Sequence, residues 1–242
     1  MSDLDRARTI VERARRPVVF TGAGVSAESG IPTFRDALTG LWEQYDPEQL
    51  ATEAGFRADP ELVWRWYASR RERVAQAQPN PAHLAIAALG RRRAGLLVVT
   101  QNVDGLHQRA GSTDVVELHG SILRVRCLEG CAGPVEGWAS DPRVPPRCPR
   151  CGAPLRPDVV WFGELLPEHS LQRAQQAAID CDLMVVVGTS ALVYPAAELP
   201  FTAVRAGADV ICVNPEPTAI DEIATVALHG KAGELLARVL GG

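Results

Sequence analysis

No apolar run in this chain of 242 residues approaches the roughly 18 consecutive residues that a membrane-crossing helix needs. Basic excess is lacking too. Lys and Arg number 25 against 29 Asp and Glu, a net charge of −4, which argues against broad binding to nucleic acid or membrane surfaces. Residues 1–16 lack the pattern of a secretory signal or a transit peptide, because Asp3, Asp5 and Glu12 interrupt them. There is no internal repeat and no low-complexity tract. These absences lead to the expectation of a cytoplasmic protein with reduced thiols. What is present, 46% hydrophobic and 22% charged residues, is the make-up of a globular chain. A chain this long buries roughly 70–75% of its unfolded surface, so disulfides are not required for stability.

Four apolar runs, at residues 18–21, 96–100, 183–187 and 210–213, read as buried parallel strands, and 115–118 as a shorter fifth. Helical periodicity falls between them at about residues 3–15, 60–78, 81–93, 168–180, 195–206 and 233–240. The alternation predicts an α/β fold, a Rossmann-type parallel sheet covered on both faces. Sheet-forming segments lie at both ends of the chain, so the middle is expected to hold inserted modules. Residues 1–30, 81–120 and 158–242 are expected to form the discontinuous sheet domain. Residues 31–80 are expected to form a helical module with a cofactor loop, and residues 121–157, rich in Cys, Pro, Gly and Arg, a zinc-ribbon module.

The cysteines carry the sharpest spacing. Cys127 and Cys131 form a C-x3-C pair, Cys148 and Cys151 a C-x2-C pair, and sixteen residues separate them. This approaches a four-thiolate zinc ribbon, with Pro149 and Gly152 suited to a tight knuckle. The alternative, two surface disulfides, fits a reduced compartment poorly. Four thiolates close the coordination sphere, so this zinc is expected to be structural. Cys181 and Cys212 read as small buried hydrophobes.

Polar turns follow the strands. Gly22-Ala23-Gly24-Val25-Ser26, with Glu28 beyond, comes after the first. Its glycines allow a tight turn and close approach to a pyrophosphate. The chain then departs from a dinucleotide fingerprint, because Pro32 disfavours helix and Phe34-Arg35 follows on the loop. Gln101-Asn102-Val103-Asp104 comes after the second strand, where polar side chains are costly unless they bind something. Asp104 alone could instead cap a helix. His119 ends the short strand and is the best placed of the five histidines for a general base; His83, His107, His169 and His229 read as structural or surface residues. Gly188-Thr189-Ser190 and Asn214-Pro215-Glu216 complete a set that converges on a nucleotide crevice.

These segments, with the four cysteines and Val160-Trp161-Phe162-Gly163-Glu164 in this order, resemble the sirtuin family over nearly the whole chain. The resemblance implies an NAD-dependent protein lysine deacylase, with NAD and acyl-lysine meeting between a Rossmann-type domain and a small zinc domain. It implies that Ala23, Phe34, Arg35, Gln101, Asn102 and Asp104 line the nicotinamide and ribose region. Gly188, Ser190, Asn214, Glu216 and Ala232 would hold the adenosine side. Residues 159–164 would pair with the substrate backbone as an added strand. His119 would deprotonate a ribose hydroxyl, and the products would be nicotinamide, O-acyl-ADP-ribose and free lysine. Tyr67 and Arg70, spaced i, i+3 on one helix face, look like the Tyr-x-x-Arg pair of the branch that removes succinyl and malonyl groups. The expected partners are acylated lysines of proteins, not nucleic acid or membranes, and the expected state is a monomer. Two rivals remain at this point. One is an ADP-ribosyltransferase using the same cleft. The other is a non-catalytic module that senses NAD or binds DNA through its zinc ribbon, suggested by Arg124, Arg126, Arg143, Arg147 and Arg150.

Overall fold

The computed structural model describes residues 1–32, 46–131 and 133–241. The strands in chain order are β1 (Pro17–Thr21), β2 (Leu97–Thr100), β3 (Val115–Glu117), β4 (Gly120–Cys127), β5 (Leu155–Val159), β6 (Leu183–Val187), β7 (Asp209–Asn214) and β8 (Val226–His229). Six of them form one sheet in the order β3-β2-β1-β6-β7-β8, every pairing parallel. The helices are α1 (Asp3–Arg13), α2 (Pro47–Leu50), α3 (Glu53–Ala58), α4 (Pro60–Gln76), α5 (Pro81–Arg92), α6 (Leu106–Arg109), α7 (Glu168–Asp180), α8 (Leu199–Arg205) and α9 (Ala232–Leu240). A 3-10 turn, Ala23–Ser29, follows β1.

Alternation along each strand sends successive side chains to opposite faces. Val19, Val98, Val185 and Ile211 meet Ile10 of α1, Ile86 of α5 and Leu236 of α9. Val18, Phe20, Met184 and Val210 meet Ala174 and Ala178 of α7 and Leu199 of α8 on the other face. Fully burying one such aliphatic side chain contributes about 1.5–3 kcal/mol, which is why the strands read as unbroken apolar runs. This is the expected Rossmann-type architecture.

Two local caps aim the site. Asp59 accepts from the Leu62 amide at 2.9 Å and starts α4, with Pro60 in the first turn. Asn80 accepts from the Ala82 amide at 2.9 Å, and its Nδ2 donates to the Val25 carbonyl at 2.7 Å. The start of α5 is thereby tied to the 3-10 turn after β1.

Two features go beyond the sequence reading. β8 is a four-residue edge strand pairing with β7, too short and too mixed in composition to stand out. β4 and β5 form a separate antiparallel pair, whose register shifts between Ser121 and Val125. That irregularity breaks the period-two pattern by which the sequence would reveal a strand.

Candidate active site

Strand order reverses direction between β1 and β6, and two glycine turns interlock at that switch point. The Gly22 amide donates to the Val187 carbonyl at 3.0 Å and the Gly24 amide to the Gly188 carbonyl at 2.8 Å. A Cβ on Gly188, whose φ is +61°, would lie 2.3 Å from the Val25 nitrogen; one on Gly24 would lie 2.8 Å from the Gly188 Cα. The sequence suggested that these glycines make room for phosphate. In the structure the first thing each makes room for is the other turn.

Beneath the turns lies a buried polar chain. Ser26 Oγ accepts from Asn102 Nδ2 at 3.1 Å and donates to Asp104 Oδ2 at 2.7 Å. The other Asp104 oxygen accepts from the Leu106 amide at 2.9 Å, so this carboxylate steadies the entry into α6 and joins the site. Burial pushes the Asp104 carboxyl above its ordinary value, against the pull of the Leu106 amide and Ser26 hydroxyl. Deeper still, Thr21 Oγ1 bonds His107 Nε2 at 2.9 Å, and the His83 and His107 rings stack edge to face 4.9 Å apart. Burial holds these two histidines neutral, with pKa values of about 4 and about 3.

His119 follows β3, and its Nδ1 lies 2.9 Å from the Gln101 carbonyl oxygen. A carbonyl only accepts, so Nδ1 carries the proton and Nε2 is the basic nitrogen of the neutral ring. Burial lowers the His119 pKa, and the Gln101 carbonyl offsets part of that shift. The Gln101 side chain donates to Thr189 Oγ1 at 2.9 Å, and Asn214 Nδ2 donates to the Thr189 carbonyl at 3.1 Å. Four strand ends are thus cross-linked.

A cavity of about 300 Å³ opens beside this network. Its lining includes Ala23, Asn102, Asp104 and His119 from the strand ends, Tyr67 and Arg70 of α4, and the loop after β5. The Arg70 guanidinium stacks 4.7 Å from the Trp66 ring centroid and 5.8 Å from that of Tyr67, and burial lowers its pKa. The Val160 amide donates to the His119 carbonyl at 2.9 Å, and the Phe162 amide to the Ala51 carbonyl at 2.9 Å. Trp161 is clamped from below by Arg156, whose guanidinium carbon lies 3.4 Å from the ring centroid. Arg156 is only 2% exposed and is paired with Glu164, which in turn accepts from the Trp161 amide at 2.9 Å.

At the far end of β4, the four sulfurs of Cys127, Cys131, Cys148 and Cys151 gather within 4.8 Å of one another. Their closest separations run from 3.2 Å to 3.6 Å, far longer than a disulfide bond of about 2 Å and close to the edge of a tetrahedron with metal–sulfur bonds of about 2.3 Å. All are free thiols. Gly152, with φ +77°, donates to the Cys148 carbonyl at 2.9 Å and closes the second knuckle. The donor set fits one tetrahedral zinc ion and leaves no ligand position open.

The chain matches the Sir2 family model over residues 22–195. A Ralstonia nicotianae protein named NAD-dependent protein deacylase is 58% identical over 235 residues, covering 97% of this chain and 95% of its own. The chain belongs to the Sir2 family. A crystal structure of a Sir2 homologue in complex with NAD superposes at TM-score 0.89 and 47% identity, covering 98% of this chain and 92% of that one. A Sir2 structure bound to acetylated peptide gives TM-score 0.86 at 34% identity, covering 99% and 98%.

In this Sir2 chain the structure gathers Ala23, Ser26, Gln101, Asn102, Asp104, His119, Tyr67, Arg70, Val160, Trp161, Phe162 and Gly163 around one cavity. Ser190 and Glu216 stand exposed beyond β6 and β7. Glu28 accepts from the Gly233 amide at 2.8 Å, in the first turn of α9 next to Ala232, so its carboxylate is engaged within the protein. Phe34 and Arg35 lie outside the described residues. Four of the five arginines behind the DNA-binding rival are engaged. Arg124 pairs with Glu117 and Asp158, Arg126 with Glu164, Arg143 with Asp141, and Arg150 donates to the Cys131 carbonyl. Sequence reasoning missed Arg156. It also missed Arg71, which sits between the Trp64 and Trp138 rings at 4.7 Å and 4.8 Å and links α4 to the cysteine module. The only available signal was their place in Arg-rich stretches, which more often mark solvated faces.

Proposed function

We propose that this Sir2 chain removes acyl groups from protein lysines with NAD as co-substrate, giving nicotinamide, O-acyl-ADP-ribose and free lysine. The observation that carries the reading is His119. It is a neutral histidine with a fixed tautomer, on a cavity lined by the nucleotide turns, by α4 and by residues 159–164. NAD supplies an activated glycosidic bond and a ribose hydroxyl. One water molecule completes the release of lysine, and the protein supplies binding, orientation and the base. Ala23, Ser26, Asn102 and Asp104 hold the nicotinamide ribose, while Gly188, Thr189, Ser190, Asn214 and Ala232 face the adenosine. His119 Nε2 accepts the ribose hydroxyl proton; general bases of this kind contribute about 10²–10⁴ in rate. Acyl-lysine enters along residues 160–163, where the clamped Trp161 gives it a fixed wall to lie against.

The finer reading is acyl choice. Arg70 and Tyr67, which line the same cavity as His119, suit an acyl chain ending in a carboxylate, so succinyl and malonyl groups join acetyl as substrates. The test is a panel of acetyl-, succinyl- and malonyl-lysine peptides, with and without NAD, assayed for nicotinamide and deacylated peptide. Nicotinamide release with ADP-ribose left on intact acyl-peptide would replace this reading with transferase activity.

A further inference from the structure

We infer that Trp161 is a positioning residue for acyl selection, because its indole N–H dictates where the Tyr67 hydroxyl donates. The inference rests on the proposal that Tyr67 and Arg70 receive an acyl carboxylate. Trp161 Nε1 lies 3.0 Å from Tyr67 Oη. An indole nitrogen can only donate, so the tyrosine oxygen accepts. A phenolic hydrogen prefers the ring plane and has two directions there. The one facing Trp161 would set hydrogen against hydrogen. The other direction remains, and among the described residues the Tyr67 hydroxyl donates to no protein group. Tyr67 is 3% exposed and lines the cavity, which places its hydroxyl within reach of a carboxylate bound there.

Chemistry then separates the acyl groups. A terminal carboxylate only accepts hydrogen bonds and gains from a hydroxyl whose hydrogen is already aimed. An acetyl methyl gains nothing from it. The fixed direction also removes the rotational freedom the hydroxyl would otherwise lose on binding.

Trp161 is itself held in place. Arg156 lies 3.4 Å beneath its ring, the Phe56 ring centroid is 5.3 Å away, and Glu164 accepts from its amide at 2.9 Å. Those contacts use the ring and the backbone, leaving the indole N–H for Tyr67. Trp161→Phe therefore removes the donor while keeping an aromatic face over Arg156.

The experiment is a double-mutant cycle of Trp161→Phe and Tyr67→Phe, read as the ratio of kcat/KM for succinyl- and acetyl-lysine peptides of one sequence. Trp161→Phe lowers the ratio about three- to tenfold, chiefly through KM for the succinyl peptide, and Tyr67→Phe lowers it about tenfold. The double variant falls no lower than Tyr67→Phe alone, because without the hydroxyl nothing is left to orient. Single effects that multiply, or a Trp161→Phe ratio within twofold of wild type, overturn the inference and leave the acyl-carboxylate reading standing. Wild-type protein that does not release succinyl overturns both. If Trp161→Phe fails to fold, the indole N–H resonance of Trp161 decides instead. It shifts upfield in Tyr67→Phe if the bond exists, and an unmoved resonance overturns the inference.

Discussion

Replacing Arg70 by methionine separates acyl recognition from the rest of the reaction. The Arg70 guanidinium lines the cavity beside Tyr67 and Trp66, with Arg73 one turn further along α4, and its delocalised fork matches a carboxylate. Hydrogen bonds to charged groups contribute about 1.5–3 kcal/mol, which converts to about ten- to a hundredfold in kcat/KM for a succinyl peptide. Stability should change far less. Stacking on the Trp66 ring at 4.7 Å is lost, at about 0.5–2 kcal/mol. Burial already disfavours the charged guanidinium, and methionine carries no such penalty while filling much of the same space. The assay is steady-state kcat/KM for succinyl and acetyl peptides of identical sequence, alongside thermal melts. Desuccinylation should fall ten- to a hundredfold while deacetylation stays within about threefold, because an acetyl group carries no carboxylate for the guanidinium to pair with. Equal losses for both acyl groups would refute the reasoning and make Arg70 a structural residue of α4.

His119→Ala should keep the fold and NAD binding but lose about 10²–10⁴ in turnover; deacylation within a few-fold of wild type excludes His119 as the base. Its neutral form is the active one and burial lowers its pKa, so the acid pH of half-maximal activity should lie below the 6.5 of an ordinary histidine. Cys148→Ser should give zinc-poor or insoluble protein, since binding energy at such a site is folding energy; a fully metallated, equally stable variant by elemental analysis and melting contradicts this. Stability should also fall with acid. His83 and His107 have folded pKa values of about 4 and about 3 against 6.5 when unfolded, so their stability is complete above pH 6.5 and is lost as pH falls below it. Each contributes a loss of about 2 kcal/mol by pH 5, partly offset by Asp104, whose raised pKa acts in the opposite sense. A Tm at pH 5 equal to that at pH 7.5 argues against neutral burial of the pair.

The sheet was readable because strands buried on both faces must be apolar throughout, as Val18-Val19-Phe20 and Leu183-Met184-Val185 are. The cysteine spacing was readable because a metal demands its ligands at fixed reach. The polar turns announced a crevice, since Gln101 and Asn102 have no reason to end a core strand otherwise. What stayed hidden depends on contacts between distant segments. Ser26 and Asp104 meet across 78 positions, and nothing local in either segment encodes that bond. Arg156 looked like one more surface arginine; only the fold places it under Trp161. The interlock of Gly24 with Gly188 was hidden for the same reason, because a sequence shows where a side chain is missing but not what fills the space.

Helix α4 is anchored at its back to the cysteine module, through Trp64 against Val125 and Leu155 and through Arg71 between two tryptophans, while its front carries Tyr67 and Arg70. The base, the nucleotide turns and the sheet belong to other parts of the chain. On the proposed reading, changes at Tyr67 and Arg70 bear on acyl preference and changes at His119 on the chemical step. Exchanging two side chains on one rigidly mounted rod can retune what the enzyme accepts without touching how it reacts. A lineage of such enzymes can diversify its targets by small steps while the reaction centre stands still.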